Sequence, residues 1–250
     1  MNIRLAESLN KVFWTTLDWI YPPECIGCGE SGYLLCAECQ NKIVKRSGYR
    51  CKICDTKISR EEIICLRCQE QKPSFTALRC LADYEGVIRE CIHALKYEKR
   101  LGFGWFFSKP LSEIVIKEGW QPDLISPVPL SQERMRERGY NQAAQIAKPL
   151  AARLGVQYNP YGLVRIRDTK SQVGLSAGER RINVAGAFEA KTELVFGKKV
   201  LIIDDVMTTG ATLGACANAL KLAGSNEIYC LVLAGFIKRL NANNLNIHQV

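Results

Sequence analysis

The sequence predicts an α/β protein: a parallel sheet flanked by helices, preceded by a small cysteine-rich module. Three observations carry that expectation. Eight of the twelve cysteines fall into four Cys-x-x-Cys pairs in the first third of the chain. Beyond them, strand-like apolar runs alternate with helix-like stretches. One run, "VLIIDDVMTTGAT" at 200–212, ends in two adjacent acids and then turns into threonines around a glycine.

A chain of 250 residues, 47% of them apolar, can bury one medium-sized core beside a small module. Its net charge of +9 favours anionic partners such as phosphates or nucleic acid. No apolar run approaches the length that spans a bilayer. At the N-terminus, Glu7, Asn10, Lys11 and Asp18 interrupt any signal-like apolar core. Leu5, Leu9, Val12, Phe13, Leu17 and Ile20 recur at helical spacing instead and predict an amphipathic helix over 1–22. The expected location is the cytoplasm, where cysteines seldom form disulfides.

A Cys-x-x-Cys turn aims two thiolates at one point, and two such turns complete a tetrahedral sulfur site for zinc. Gly29 and Asp55 follow the second cysteine of their turns, where a left-handed residue is often needed. The simplest pairing gives two structural zinc sites, Cys25/Cys28/Cys36/Cys39 and Cys51/Cys54/Cys65/Cys68. An interleaved pairing stays open. Four sulfur ligands leave no open position for catalysis, and metal binding must supply much of the folding free energy of so small a module. Cys80, Cys91, Cys216 and Cys230 stand singly in apolar contexts and are expected in the core.

The elements of the second region follow in order. "TALRCLADY" is an expected strand, and "GVIRECIHALKY" a helix with Val87, Ile88, Cys91, Ile92 and Leu95 inward. "DLISPVP" is a short buried strand running into a loop. "NQAAQIAKPLAARLG" is a helix closed by Gly155. "YGLVRIR" is another strand, "KKVLIIDDV" a buried one, "ATLGACANALKLAG" a helix ending at Gly224, and "EIYCLVLAGF" a last strand. Such alternation implies parallel strands joined by right-handed crossovers.

In sheets of this kind ligands bind beyond the carboxyl ends of the strands, where Asp204 and Asp205 lie. The turn Val206, Met207, Thr208, Thr209, Gly210, Ala211, Thr212 leads into a helix N-terminus, whose amides can cradle a phosphate. Gly210 permits close backbone approach. Two acceptor-only carboxylates beside that cradle suit ribose hydroxyls or a hydrated Mg²⁺, so a sugar phosphate matches both halves. Residues 126–153 and 165–182 each carry a net charge of +3. Arg134, Arg136 and Arg138 recur every second residue, which points to an extended or loop placement.

"VLIIDDVMTTGAT" resembles the phosphoribosyl-pyrophosphate (PRPP) motif of type I phosphoribosyltransferases. Together with "SPVPLSQERMRERGYNQA", "QVGLSAGERRINVAGAF", "IHALKY" and the cysteine module, it is similar to the ComF family, associated with bacterial competence. The resemblance runs from about Pro22 to Ala234. It implies a double zinc ribbon over 23–72 and a phosphoribosyltransferase-like domain over 75–240. It also implies catalytic roles for Asp204 and Asp205, PRPP binding by 206–212, and Mg²⁺ with PRPP. The loop Pro127, Val128, Pro129 and the polar groups Lys96, Arg134, Arg138, Asn141, Gln142, Gln172, Arg180 and Arg181 would face pyrophosphate. "TKSQVGLSAGERRINV", with Ser176 and Asn183, is similar to the loop that closes over PRPP in related enzymes. His93 sits in the same "HALKY" stretch as Lys96. The implied partners are PRPP, single-stranded DNA, and competence or recombination proteins. Three readings stay open: a PRPP-binding DNA-handling factor of competence, a phosphoribosyltransferase of nucleotide or nucleobase salvage, and a zinc-stabilised adaptor without turnover.

Overall fold

The computed structural model describes residues 22–169 and 176–236. The helix expected over 1–22 (all but Pro22), Gln172 and the polar C-terminal tail therefore lie outside the described residues.

The chain begins with two copies of one small motif. In each, a Cys-x-x-Cys turn closes on a left-handed residue. The Gly29 N–H donates to the Cys25 carbonyl at 2.8 Å and the Asp55 N–H to that of Cys51 at 3.0 Å. In each, the third cysteine caps a one-turn helix, Cys36 before α1 (Ala37–Asn41) and Cys65 before α2 (Leu66–Glu70).

The second region opens with β1 (Ala77–Asp83), α3 (Val87–Tyr97) and α4 (Gly102–Lys117). It continues through β2 (Leu124–Pro127), α5 (Gln132–Arg138), α6 (Gln142–Leu154) and β3 (Gln157–Tyr158). Then come β4 (Leu163–Arg165), α7 (Ala177–Val184), β5 (Phe188–Ala190) and α8 (Thr192–Val195). The chain ends with β6 (Lys199–Met207), α9 (Ala211–Leu222) and β7 (Glu227–Gly235). Five strands form one sheet in the order β1-β7-β6-β2-β3, every pair parallel.

The sheet is buried on both faces, so its central strands are almost wholly apolar rather than alternating. Along β6, Leu201 and Ile203 point into one core and Val200 and Ile202 into the other. The first core packs α3, α4 and α6 together with Cys25, Leu35 and Cys39 of the first ribbon. The second packs α9 and β5 with Cys51, Cys54 and Phe75 from the second ribbon and the chain after it. The two ribbons thus lie on opposite faces of the sheet. The segment between them passes the β1 edge: Lys45 bridges Ala82, and the Asp83 N–H donates to the Val44 carbonyl at 3.0 Å. An edge strand that would otherwise expose its amides is covered.

Three expectations change, and one helix was not foreseen. "YGLVRIR" yields β4, but β4 pairs antiparallel with β5 in a separate two-stranded sheet, and the fifth strand of the main sheet is the two-residue β3. A sixteen-residue helix, α4, occupies a stretch whose Gly102, Gly104 and Pro110 disguise it. Gly104 is required there: a Cβ would sit 2.1 Å from the Gln145 carbonyl oxygen, so its absence lets α4 and α6 pack backbone to backbone. The Arg134–Arg138 stretch is the helix α5, not an extended loop. Ser131 caps it, accepting from the Arg134 N–H at 3.3 Å, and Gly139 closes it at φ 79°. Part of the expected PRPP-closing loop is likewise the helix α7, begun by a capping box in which Ser176 and Glu179 satisfy each other's amides.

Candidate functional site

Within each ribbon the four sulfurs lie within 4.8 Å of one another, Cys25/Cys28/Cys36/Cys39 in one and Cys51/Cys54/Cys65/Cys68 in the other. That is the uninterleaved pairing. The third cysteine's amide donates to the first sulfur at 3.3 Å in both, the N–H···S bond that steadies a thiolate. Burial works to raise the Cys25 thiol pKa, yet the amides of Cys36, Gly27 and Cys28 hold it down to about 6. Two all-sulfur sites, each with an amide donated to its first sulfur, fit structural zinc.

The second site forms where β6 leaves the sheet. Pleating turns Asp204 and Asp205 to opposite faces. Asp205 is buried, and its N–H donates to Asp204 Oδ1 at 2.9 Å. From the last turn of α3, Lys96 Nζ reaches Asp205 Oδ2 at 2.6 Å. Desolvation opposes the charge on both partners but each outweighs it for the other, so Asp205 lies below the usual carboxylate range and Lys96 above the usual lysine range. Asp204 goes the other way: desolvation and the neighbouring Asp205 charge push its carboxyl well up. Two adjacent carboxyls are thereby separated into one ionised acid and one that retains its proton to higher pH.

Beyond the acids, Val206 and Met207 finish β6, and Thr208, Thr209 and Gly210 turn the chain into α9. Gly210 takes φ 79°, a left-handed conformation that side chains resist. Thr209 Oγ1 accepts from the Ala211 N–H at 3.3 Å, which orders the first turn. A cavity of about 20 Å³, room for a single water, lies among Asp204, Thr208, Gly210, Ala211 and Thr212.

The neighbouring β2 ends at Pro127, and the Val128 N–H continues its pairing by donating to the Ile203 carbonyl at 2.9 Å, leaving Pro129 to start the loop. Asn141 supports this loop from behind: its amide donates to the Val128 carbonyl at 2.9 Å, while its Oδ1 caps α6 through the Ala143 N–H at 2.9 Å. Arg138 is buried, donating to Gln142 Oε1 at 2.8 Å and to the Tyr97 hydroxyl at 3.3 Å with its guanidinium over that ring. Tyr140 ties the same corner to the Leu95 carbonyl at 2.5 Å. This network anchors the end of α3 and so places Lys96. Arg134 is half-buried on α5, while Arg180 and Arg181 lie on α7. His93 is exposed, facing Glu98 Oε1 at 3.2 Å.

Sequence reasoning missed Tyr97 and Tyr140, whose roles depend on contacts more than forty residues away. It also missed Arg46, which is buried between Asp55 at 3.0 Å and Asp83 at 2.9 Å. Nothing local singles it out, since Lys42, Lys45 and Arg50 share the stretch between the two cysteine clusters.

The site and fold define a phosphoribosyltransferase-like protein carrying two zinc ribbons. Residues 141–243 match the family model of the phosphoribosyl transferase domain, and residues 16–69 that of the double zinc ribbon domain. The chain is 32% identical over 204 residues to the DNA utilization protein YhgH of Escherichia coli O157:H7, covering 79% of this chain and 89% of that one. It is 29% identical to Competence protein F of Haemophilus influenzae, covering 84% and 96%, and 26% identical to Competence protein ComFC of Bacillus subtilis, covering 88% and 87%. The chain belongs to the ComF family of competence-associated proteins. Among the described residues, no helix is long and apolar enough to cross a membrane.

Proposed function

We propose that residues 204–212 bind PRPP with Mg²⁺, and that the protein uses this site while handling single-stranded DNA in the cytoplasm during competence. The zinc module spans 23–72 and the PRPP-binding domain 75–240 in this reading. One observation carries it: an ionised acid and a proton-retaining acid stand side by side at the end of the central strand, next to a threonine- and glycine-lined helix N-terminus. The loop amides and Thr208, Thr209 and Thr212 take the 5′-phosphate. Asp204 and Asp205 accept from the ribose hydroxyls, and a bound Mg²⁺ would supply charge that neutralises pyrophosphate. Lys96, Arg134, Arg180 and Arg181 supply positive charge around it, and the Pro127–Pro129 loop forms the adjoining wall. The DNA assignment draws on the relatives' names and on the +9 net charge.

Isothermal titration of zinc-loaded protein with PRPP and Mg²⁺ tests the first part. The expected result is saturable binding that Asp204→Asn/Asp205→Asn weakens about a hundredfold, two charge-assisted contacts being lost. No heat from a folded sample overturns the reading. Pyrophosphate release on adding an acceptor separates turnover from binding alone. For DNA, single-stranded oligonucleotide affinity should fall steeply with salt and change when PRPP is present. Affinity indifferent to both sinks that part.

A further inference from the structure

A well-formed concavity lies away from the two acids. It is a cleft of about 900 Å³ between the second zinc ribbon and α9, and Met207, Thr208, Thr209 and Gly210 are part of its lining. Seven cations line it: Arg46 and, besides it, Lys45, Arg50, Lys57, Arg67, Lys72 and Arg181. Two lining acids, Asp55 and Asp83, are both engaged by Arg46 at 3.0 and 2.9 Å, so they leave the other cations largely unanswered. Phe75, Phe188, Leu222 and Phe236 give the walls apolar surface. Ser74 and Asn218, 3.4 Å apart, add neutral hydrogen-bonding groups in the same wall.

This combination narrows the ligand. The surplus of positive charge calls for an anion, and a neutral base would leave it unused. A bare phosphate would leave the exposed apolar lining, Leu222 and Phe236, wet. The volume lies within the range of small-molecule sites. We propose that the cleft binds a nucleoside monophosphate, its phosphate held by the ribbon cations and its base against the apolar wall, with the Thr208–Gly210 turn part of the same lining. The second ribbon then has a binding role besides its structural one. The binding claim stands apart from the PRPP reading, because its cations come mainly from the ribbon; only the coupling between the two ligands rests on it.

The test is titration of full-length zinc-loaded protein with AMP, adenosine and inorganic phosphate. AMP should bind at least about tenfold more tightly than either fragment. Lys57→Glu/Lys72→Glu changes two exposed residues and should weaken AMP by about tenfold or more while two zinc ions and PRPP binding are retained. Asp204→Asn/Asp205→Asn should leave AMP binding intact. AMP no tighter than phosphate, or indifferent to the Lys57/Lys72 variant, overturns the proposal. So does AMP binding abolished by the Asp204/Asp205 variant, which would move the nucleotide into the PRPP site. A 5′-phosphorylated oligothymidylate that binds where AMP does not would overturn it in favour of a polymer groove. Should PRPP fail to bind while AMP still responds to the lysine changes, the PRPP reading falls and this one stands.

Discussion

Lys96 is the residue on which the candidate site balances. It joins two elements through one contact, the 2.6 Å pair with Asp205, and both partners are largely buried. Its sign against pH is definite. Lys96 is raised, so its contribution is present below the ordinary lysine range and lost only as pH rises through its folded value. Asp205 is lowered, so its contribution is present above the ordinary carboxylate range and lost as pH falls through its folded value. The pair therefore holds across neutral pH. Asp204 is raised and keeps its proton further up, so PRPP affinity should climb as pH rises and that proton leaves. Lys96→Met removes the charge that keeps Asp205 ionised and that also pulls Asp204 downward. The expected outcome is a midpoint of the affinity–pH curve moved to higher pH, with stability lower by about 1–3 kcal/mol for the acid left unpaired. Titrations with PRPP from acid to mildly alkaline pH read the first effect and thermal melting the second. An unmoved midpoint would show that Lys96 is not the counter-charge. The two acids were legible because acids are rare at the end of a buried strand. Lys96 was legible only as a cation in a recognisable stretch, since what gives it a role is a contact between α3 and β6.

At the scale of elements, what could be read depended on whether a signal was local. Four Cys-x-x-Cys pairs fix their ribbons through covalent geometry and metal chemistry, and no distant contact can override that. The buried strands β6 and β7 declared themselves by unbroken apolar runs. Helix α4 did not, because Gly104 is required by the close approach to α6 and it and Pro110 both lower the helix's intrinsic propensity. Helix α7 did carry a local signal, Ser176 three residues before Glu179, and the loop resemblance obscured it. That capping box yields a prediction. Ser176→Ala should cost about 1 kcal/mol of α7 stability, and amide exchange across Arg180–Asn183 should quicken while β6 stays protected. Equal exchange in variant and parent would mean that packing against α9 holds the helix without its cap. The ribbons yield another. Cys28→Ser removes an exposed ligand of the first site and Cys65→Ser a half-buried ligand of the second. Each should reduce zinc content from two ions per chain to one, measured by metal analysis. Loss of both ions from either variant would mean that the two ribbons do not bind independently.

At the scale of the whole molecule, the ribbons are built into the domain that follows them. Their buried cysteines belong to the two cores of the sheet, one ribbon to each face. Between them Arg46 closes a clamp. It pairs with Asp55 beside the second metal site and with Asp83 at the end of β1, and it donates to the Phe236 carbonyl just past β7 at 3.4 Å. Asp55 in turn accepts from the Cys80 N–H of β1 at 3.1 Å, and the Phe236 N–H donates to the Met207 carbonyl at 3.1 Å. The clamp thus spans from the second zinc ribbon to the Met207–Gly210 turn in a few bonds. Gly235 is fitted to it, since a Cβ there would lie 2.4 Å from Arg46 Nη2. Removing one partner from a buried charge cluster leaves the others uncompensated, at about 3–5 kcal/mol. Arg46→Met should therefore lower Tm by about 10 °C for a chain of this size. Asp55→Asn and Asp83→Asn, added to Arg46→Met, should restore part of that loss, because the charges left stranded are then gone. Trp120 stacks on Tyr229 of β7 with ring centroids 4.8 Å apart, so near-ultraviolet dichroism includes a report from the sheet itself. If the ribbons and sheet form one cooperative unit, a zinc chelator should shift that aromatic signal and the far-ultraviolet signal together. A sheet that melted at its original temperature after zinc was withdrawn would make the ribbons an appendage, and Arg46 a local staple rather than a clamp.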